Sequence, residues 1–156
     1  MEDETSEKSM EPYILIIDDS PTIRAILEMT ANRESYAARS FSDGYMALRW
    51  LASPDGRIPT LIFLDLTMPR MDGFTVLRHL KSKPALAVVP VIVLTSREGR
   101  IDQLKARLAG ADEYLTKPFT QEQIGVLLHG YLDAPTQAAP PHPRDHAILQ
   151  AQGDRL

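Results

Sequence analysis

Three short apolar runs constrain this chain most, because each ends on a residue that can do chemistry. Tyr13–Asp18 reads YILIID, Leu61–Asp65 reads LIFLD, and Val89–Thr95 reads VPVIVLT. Runs this short, with no polar alternation, fit strands buried on both faces, as a parallel sheet requires. The stretches between them carry helical spacing instead. Ser20-Pro21 reads as a helix cap followed by proline at the first helical position. Ile23, Ile26, Leu27 and Thr30 follow it at intervals of three and four. Ser42–Ala52, with Met46, Leu48, Trp50 and Leu51 as its apolar positions, is a second predicted helix. Gly73–Lys81 is a third, striped by Phe74, Leu77 and Leu80. Ile101–Leu108 is a fourth, which Gly110 is placed to end. Phe119–Leu132 is the last helix, and Tyr36–Phe41 and Ala111–Thr116 are weaker strands. Strand and helix thus alternate throughout, which implies right-handed βαβ crossovers and an α/β fold with helices on both faces of the sheet.

The core of the pattern runs over residues 12–133. Residues 1–11 are charged and aperiodic, and are expected to form a disordered lead-in. Residues 134–156 are rich in Pro, Ala and Gln and are expected to form a flexible tail. Twenty-three residues of that composition leave no room for an output domain, so the expectation is a stand-alone domain. The chain has no cysteine, which excludes a disulfide framework and thiolate metal sites. Its 21 acidic against 17 basic residues argue against DNA binding as the main task. The acidic first ten residues are not a secretory signal, and no apolar run reaches the roughly 18 residues of a membrane span. A cytoplasmic protein with no membrane insertion is expected.

Ligands of open α/β sheets bind outside the carboxyl ends of the strands. Asp18 and Asp19 stand there after the first strand, Asp65 at the end of the third, Thr95 and Ser96 after the fourth, and Lys117 after the fifth. Crowded carboxylates repel unless a cation neutralises them. Oxygen-only donors suit a hard ion such as Mg²⁺. A metal, a lysine and a hydroxyl around one carboxylate could hold a tetrahedral phosphoryl group. Asp65, at the end of the LIFLD run, is the best-placed nucleophile for an acyl phosphate.

On the residues IIDDS (16–20), LIFLDLTMPRMDG (61–73), VIVLTS (91–96) and YLTKPF (114–119), the chain resembles the receiver domain of two-component response regulators. The resemblance implies a flavodoxin-like (βα)5 three-layer sandwich with a five-stranded parallel sheet in the order 2-1-3-4-5. It implies that Asp65 accepts a phosphoryl group from a histidine-kinase phosphohistidine. Asp18, Asp19, Asp65 and the backbone carbonyl of Thr67 would hold Mg²⁺. Lys117 and Thr95 would contact the phosphoryl group, Tyr114 would be the aromatic switch, and the bond before Pro118 would be cis. Thr67 and Arg97 would tune access of water to the phosphate, and Arg97 is expected to slow its loss. Pro69 would stiffen the loop after the acceptor, Asp72 would cap the next helix, and Gly73 would supply a turn conformation. Output would pass to a protein target through the face of the fourth helix, fifth strand and fifth helix, in or near which Arg97, Arg100, Lys105, Arg107 and Tyr114 lie. The stretch TSREGRIDQLKARLAGADEYLTKPF further resembles stand-alone receivers of type IV pilus twitching motility.

Other readings are weaker. An aspartyl phosphatase would carry an acid two residues after its nucleophile, where this chain has Thr67. A dinucleotide-binding domain would carry G-x-G-x-x-G after the first strand, and none is present. A phosphorylation-independent scaffold or phosphate sink remains the alternative to a switch. The chain itself would not be an enzyme beyond its own phosphorylation and dephosphorylation.

Overall fold

The computed structural model describes residues 11–68, 71–96 and 100–133. Pro69 and Arg97, residues 1–10 and the segment 134–156 lie outside that description, so the readings made on them stay expectations. The described chain runs β1 (Tyr13–Ile17), α1 (Pro21–Arg33), β2 (Ala37–Phe41), α2 (Gly44–Ala52), β3 (Leu61–Asp65) and α3 (Gly73–Ser82). A single helical turn at Pro84–Ala87 then leads to β4 (Val91–Thr95), α4 (Arg100–Leu108), β5 (Glu113–Thr116) and α5 (Gln121–Leu132). The strands pair in the order β2-β1-β3-β4-β5, every pair parallel.

Every residue of β1, β3 and β4 is buried. Alternate side chains enter opposite cores, as the period of two demands. Tyr13, Leu15 and Ile17 pack with Leu77, Leu80 and Ala106 on one side of the sheet. Ile14 and Ile16 pack with Leu27, Ile124 and Leu128 on the other. The two edge strands are only half-buried, which is why AARSF and EYLT are less apolar.

Local chemistry sets the helix ends. Ser20 caps α1 by accepting from the Ile23 amide, with Pro21 at the start as expected. Asp72 caps α3 through the Phe74 amide. Gly110 ends α4 at φ +106, a backbone that side chains rarely adopt. The last helix begins at Gln121 rather than Phe119, because Thr120 and Gln123 close a reciprocal capping box. Met46, expected on the apolar side of α2, is exposed, and Ala47 fills the core there. Among the described residues, no helix is long and apolar enough to cross a membrane.

Candidate phosphoacceptor site

The strand order reverses between β1 and β3, and their carboxyl ends flank the resulting crevice. Asp18 follows β1 there and is fully buried. Its main chain is pinned by its own amide donating to the Phe41 carbonyl at 3.1 Å, and by Arg24 Nη1 donating to its carbonyl at 2.8 Å. Its Oδ1 accepts the Ser20 amide at 2.9 Å. Asp65 closes β3, is 3% exposed, and accepts the Thr67 amide on Oδ1 at 2.9 Å. Asp19 is exposed beside them, and one carboxylate oxygen from each of the three lies within 4.8 Å of the others.

Lys117 reaches in from the end of β5. Its Nζ lies 2.7 Å from Asp18 Oδ2 and 3.4 Å from Asp65 Oδ2. Its backbone amide donates to the Thr95 carbonyl at 2.7 Å, which ties β4 to the lysine's own residue. The following bond to Pro118 is cis. Thr95 is fully buried at the end of β4, opposite Thr116 in register. Thr67 is exposed at the mouth of the site. Tyr114 is half-buried on β5, against the core on the α2–α4 side of the sheet.

The electrostatics leave one carboxylate uneasy. Burial is the main reason that the Asp65 carboxyl rises from its usual 3.8 to about 6. The Thr67 amide opposes the rise, the Asp18 charge adds to it, and Lys117 pulls back. Among the described residues, three carboxylates against one ammonium leave a local excess of two negative charges when all are ionised. A divalent cation with hard-oxygen preference fits that donor set in charge and in chemistry.

The structure brings together Asp18, Asp19, Asp65 and Lys117, with Thr95 joined to the lysine through its backbone. Of the residues expected on the output face, Arg107 and Tyr114 line one cleft between α4 and β5, with Gln103. Lys105 lies on the other flank of α4, in a groove shared with Phe74 and Arg78 of α3. Gly73 needs a different explanation from the expected turn conformation. Its φ is not in the positive region, but a Cβ there would sit 2.4 Å from the Asp65 carbonyl and 2.5 Å from Leu66 Cα. Close approach of α3 to the acceptor strand requires the glycine. Sequence reasoning missed Arg24, whose guanidinium holds the Asp18 carbonyl. Its only signal is a cation one helical turn inside a helix that starts beside two acids.

An order-reversing parallel sheet with an acidic, lysine-bridged crevice defines a class of flavodoxin-like domains. The comparisons narrow that class. The response regulator receiver domain family matches residues 14–129, and the chain belongs to that family. It is 38% identical to Protein PilG of Pseudomonas aeruginosa over 111 residues, covering 71% of this chain and 80% of that protein. It is 39% identical to the response regulator PleD of Caulobacter vibrioides over 109 residues, covering 70% of this chain but only 23% of that longer protein. Among solved structures, the chemotaxis protein CheY4 of Vibrio cholerae superposes with a TM-score of 0.71 at 26% identity. That match covers 78% of this chain and 99% of CheY4. Receiver domains are phosphoacceptor signalling domains rather than enzymes in the ordinary sense, and response regulators pair with histidine kinases.

Proposed function

We propose that this protein is a response regulator that accepts a phosphoryl group on Asp65 from a histidine-kinase phosphohistidine. One observation carries the reading. Lys117 Nζ spans Asp18 and Asp65 at 2.7 and 3.4 Å while the three carboxylates converge within 4.8 Å. In the transfer, an Asp65 oxygen forms the new O–P bond as the donor's N–P bond breaks. The imidazole leaves with the electron pair. Asp65 must be ionised to attack, and at neutral pH it is, its carboxyl titrating near 6. The Thr67 amide holds the other Asp65 oxygen and so fixes the carboxylate plane. Asp18, Asp19, Asp65 and the Thr67 carbonyl would hold Mg²⁺, which when bound would neutralise the phosphoryl oxygens. Lys117 is placed to pair with the acyl phosphate, and Thr95 to donate its hydroxyl to it. Tyr114 would report the change to the cleft it shares with Arg107.

Phosphorylation would bias an equilibrium that the unmodified protein already samples. The target would be a protein, engaged through α4, β5 and α5. The resemblance of residues 95–119 to twitching-motility receivers makes pilus or motility machinery the proposed destination. Incubation with acetyl phosphate and Mg²⁺ followed by intact mass tests the first step. One phosphoryl adduct, lost in Asp65→Asn and in EDTA, supports the switch. An unmodified, folded protein would replace it with the scaffold reading.

A further inference from the structure

The end of the sheet opposite the acidic crevice carries a second cavity that the phosphoacceptor function does not use. A cleft of about 420 Å³ opens between the last turn of α2, the α2–β3 loop and the last turn of α3. Its walls are aliphatic, built from Leu48, Leu51 and Leu86, and its polar lining consists of Arg57, His79 and Lys83. No carboxylate is among its described lining residues. The chain as a whole carries a formal charge of −4, opposite in sign to the Arg57 and Lys83 side chains of this lining. Small-molecule sites have this size and this make-up, an apolar body with a few placed polar groups.

One of the cations is set in advance. The Arg57 guanidinium stacks 5.1 Å from the Tyr13 ring centroid and donates to the Glu11 carbonyl at 3.3 Å. The Arg57 carbonyl in turn accepts from the Tyr13 hydroxyl. A fixed cation beside an apolar wall costs a ligand little ordering.

We infer that this cleft binds a small organic anion, an alkyl or aryl body bearing one carboxylate or sulfonate. The apolar body would lie on Leu48, Leu51 and Leu86, and the anion would face Arg57, His79 and Lys83.

The full-length protein, titrated with 8-anilinonaphthalene-1-sulfonate, tests this. Fluorescence should rise to a one-to-one saturation, and ¹³C-methyl spectra should move at Leu48, Leu51 and Leu86. Ala85→Trp, on the exposed turn that lines the cleft, should abolish binding by filling it. His79→Gln with Lys83→Gln should weaken binding about fivefold, since an exposed charge pair from Lys83 and a polar contact from His79 are lost. Octanoate should displace the dye and octanol should not. Near-UV circular dichroism establishes that each variant is folded. The inference is overturned by absent saturation, by binding that Ala85→Trp leaves intact, or by equal displacement with octanol. It is also overturned, in favour of protein docking, if an acetylated, amidated tetrapeptide of sequence ELLE displaces the dye at lower concentration than octanoate.

Discussion

Two lysine–aspartate clusters stand at opposite ends of the sheet, and they solve the same problem with opposite outcomes. Lys81 and Lys117 are similarly buried, with side chains 16% and 18% exposed. At the amino-terminal end, Lys81 Nζ donates to the Ala87 and Val89 carbonyls at 3.1 and 2.9 Å and to Asp112 Oδ2 at 3.3 Å. Asp112 Oδ2 also accepts the Val91 amide at 2.8 Å. Three ammonium hydrogens meet three acceptors, and one positive charge meets one negative. At the other end, Lys117 faces a converging group of three acids, two of them buried. That cluster is left with excess negative charge. The closed cluster stitches α3 to β4 and β5. The open one keeps its charge imbalance, which the proposed phosphoacceptor role would use to take a cation and a phosphoryl group.

The largest effect should come from breaking the closed cluster. Lys81→Met keeps the aliphatic stem but strands two carbonyls and a carboxylate, and should cost about 2–4 kcal/mol. Water reaches Asp112, which keeps the loss from being greater. Urea unfolding measures it, and Mg²⁺ should not change the difference from wild type. Acetyl-phosphate labelling per folded molecule should stay at the wild-type level. A loss of Mg²⁺ response in this variant would mean that the two clusters are not separate devices.

Asp65→Asn should act in the opposite direction. The Asp65 carboxyl is raised from 3.8 to about 6 chiefly by burial, so its ionised form opposes folding. A raised folded-state value means that the acid's contribution is fully favourable below about pH 4 and is lost as pH rises through 6. The asparagine variant should therefore match wild type near pH 4 and exceed it by about 1–3 kcal/mol at pH 7.5 in EDTA. Its advantage should grow between those limits and then level off. Saturating Mg²⁺ should narrow the gap, because binding stabilises the folded wild type. A gap that is independent of pH would show that ordinary packing, not charge, separates the two proteins.

Lys117→Met sharpens the contrast because it is the same substitution at the other end. It removes a cation that reaches both buried acids. Stability should fall by about 1–2 kcal/mol in EDTA at pH 7.5, and Mg²⁺ should restore much of it. Lys81→Met should show no such rescue. Thermal unfolding of the two variants with and without Mg²⁺ makes the comparison directly.

How much of this was readable beforehand follows the same division. β1, β3 and β4 are legible because burial on both faces forces continuous apolar runs. Asp18, Asp65 and Lys117 are legible because they end those strands or a neighbour. The edge strands blur, since half of each faces outward. The turn at Pro84–Ala87 has too few residues to show a period. Lys81 and Asp112 are 31 positions apart and lie in no motif, so nothing in the sequence joins them. Gly73 was legible as a necessary glycine but not for its reason, because close approach of two backbones leaves no local signature. The start of α5 was misread although its signal, Thr120-x-x-Gln123, stands in the sequence, because the apolar Phe119 drew the boundary two residues early.

The smallest predicted effect concerns the residue that sequence reasoning missed. Arg24 Nη1 donates to the Asp18 carbonyl at 2.8 Å, while the Asp18 side chain is held separately by Ser20 and Lys117. Arg24 therefore positions the backbone of an acid whose carboxylate already has two partners. Arg24→Gln should lower stability by about 0.5–1 kcal/mol, the scale of one hydrogen bond. Its effect on Mg²⁺ affinity should be a reduction of no more than about threefold, since under 1 kcal/mol is at stake. The titration of amide shifts at Asp18 with Mg²⁺ measures this. A much larger loss would move Arg24 from a support of the open cluster to a member of it, with its charge counted alongside that of Lys117. The cluster's imbalance would then be one negative charge rather than two, and Asp65→Asn should gain correspondingly less.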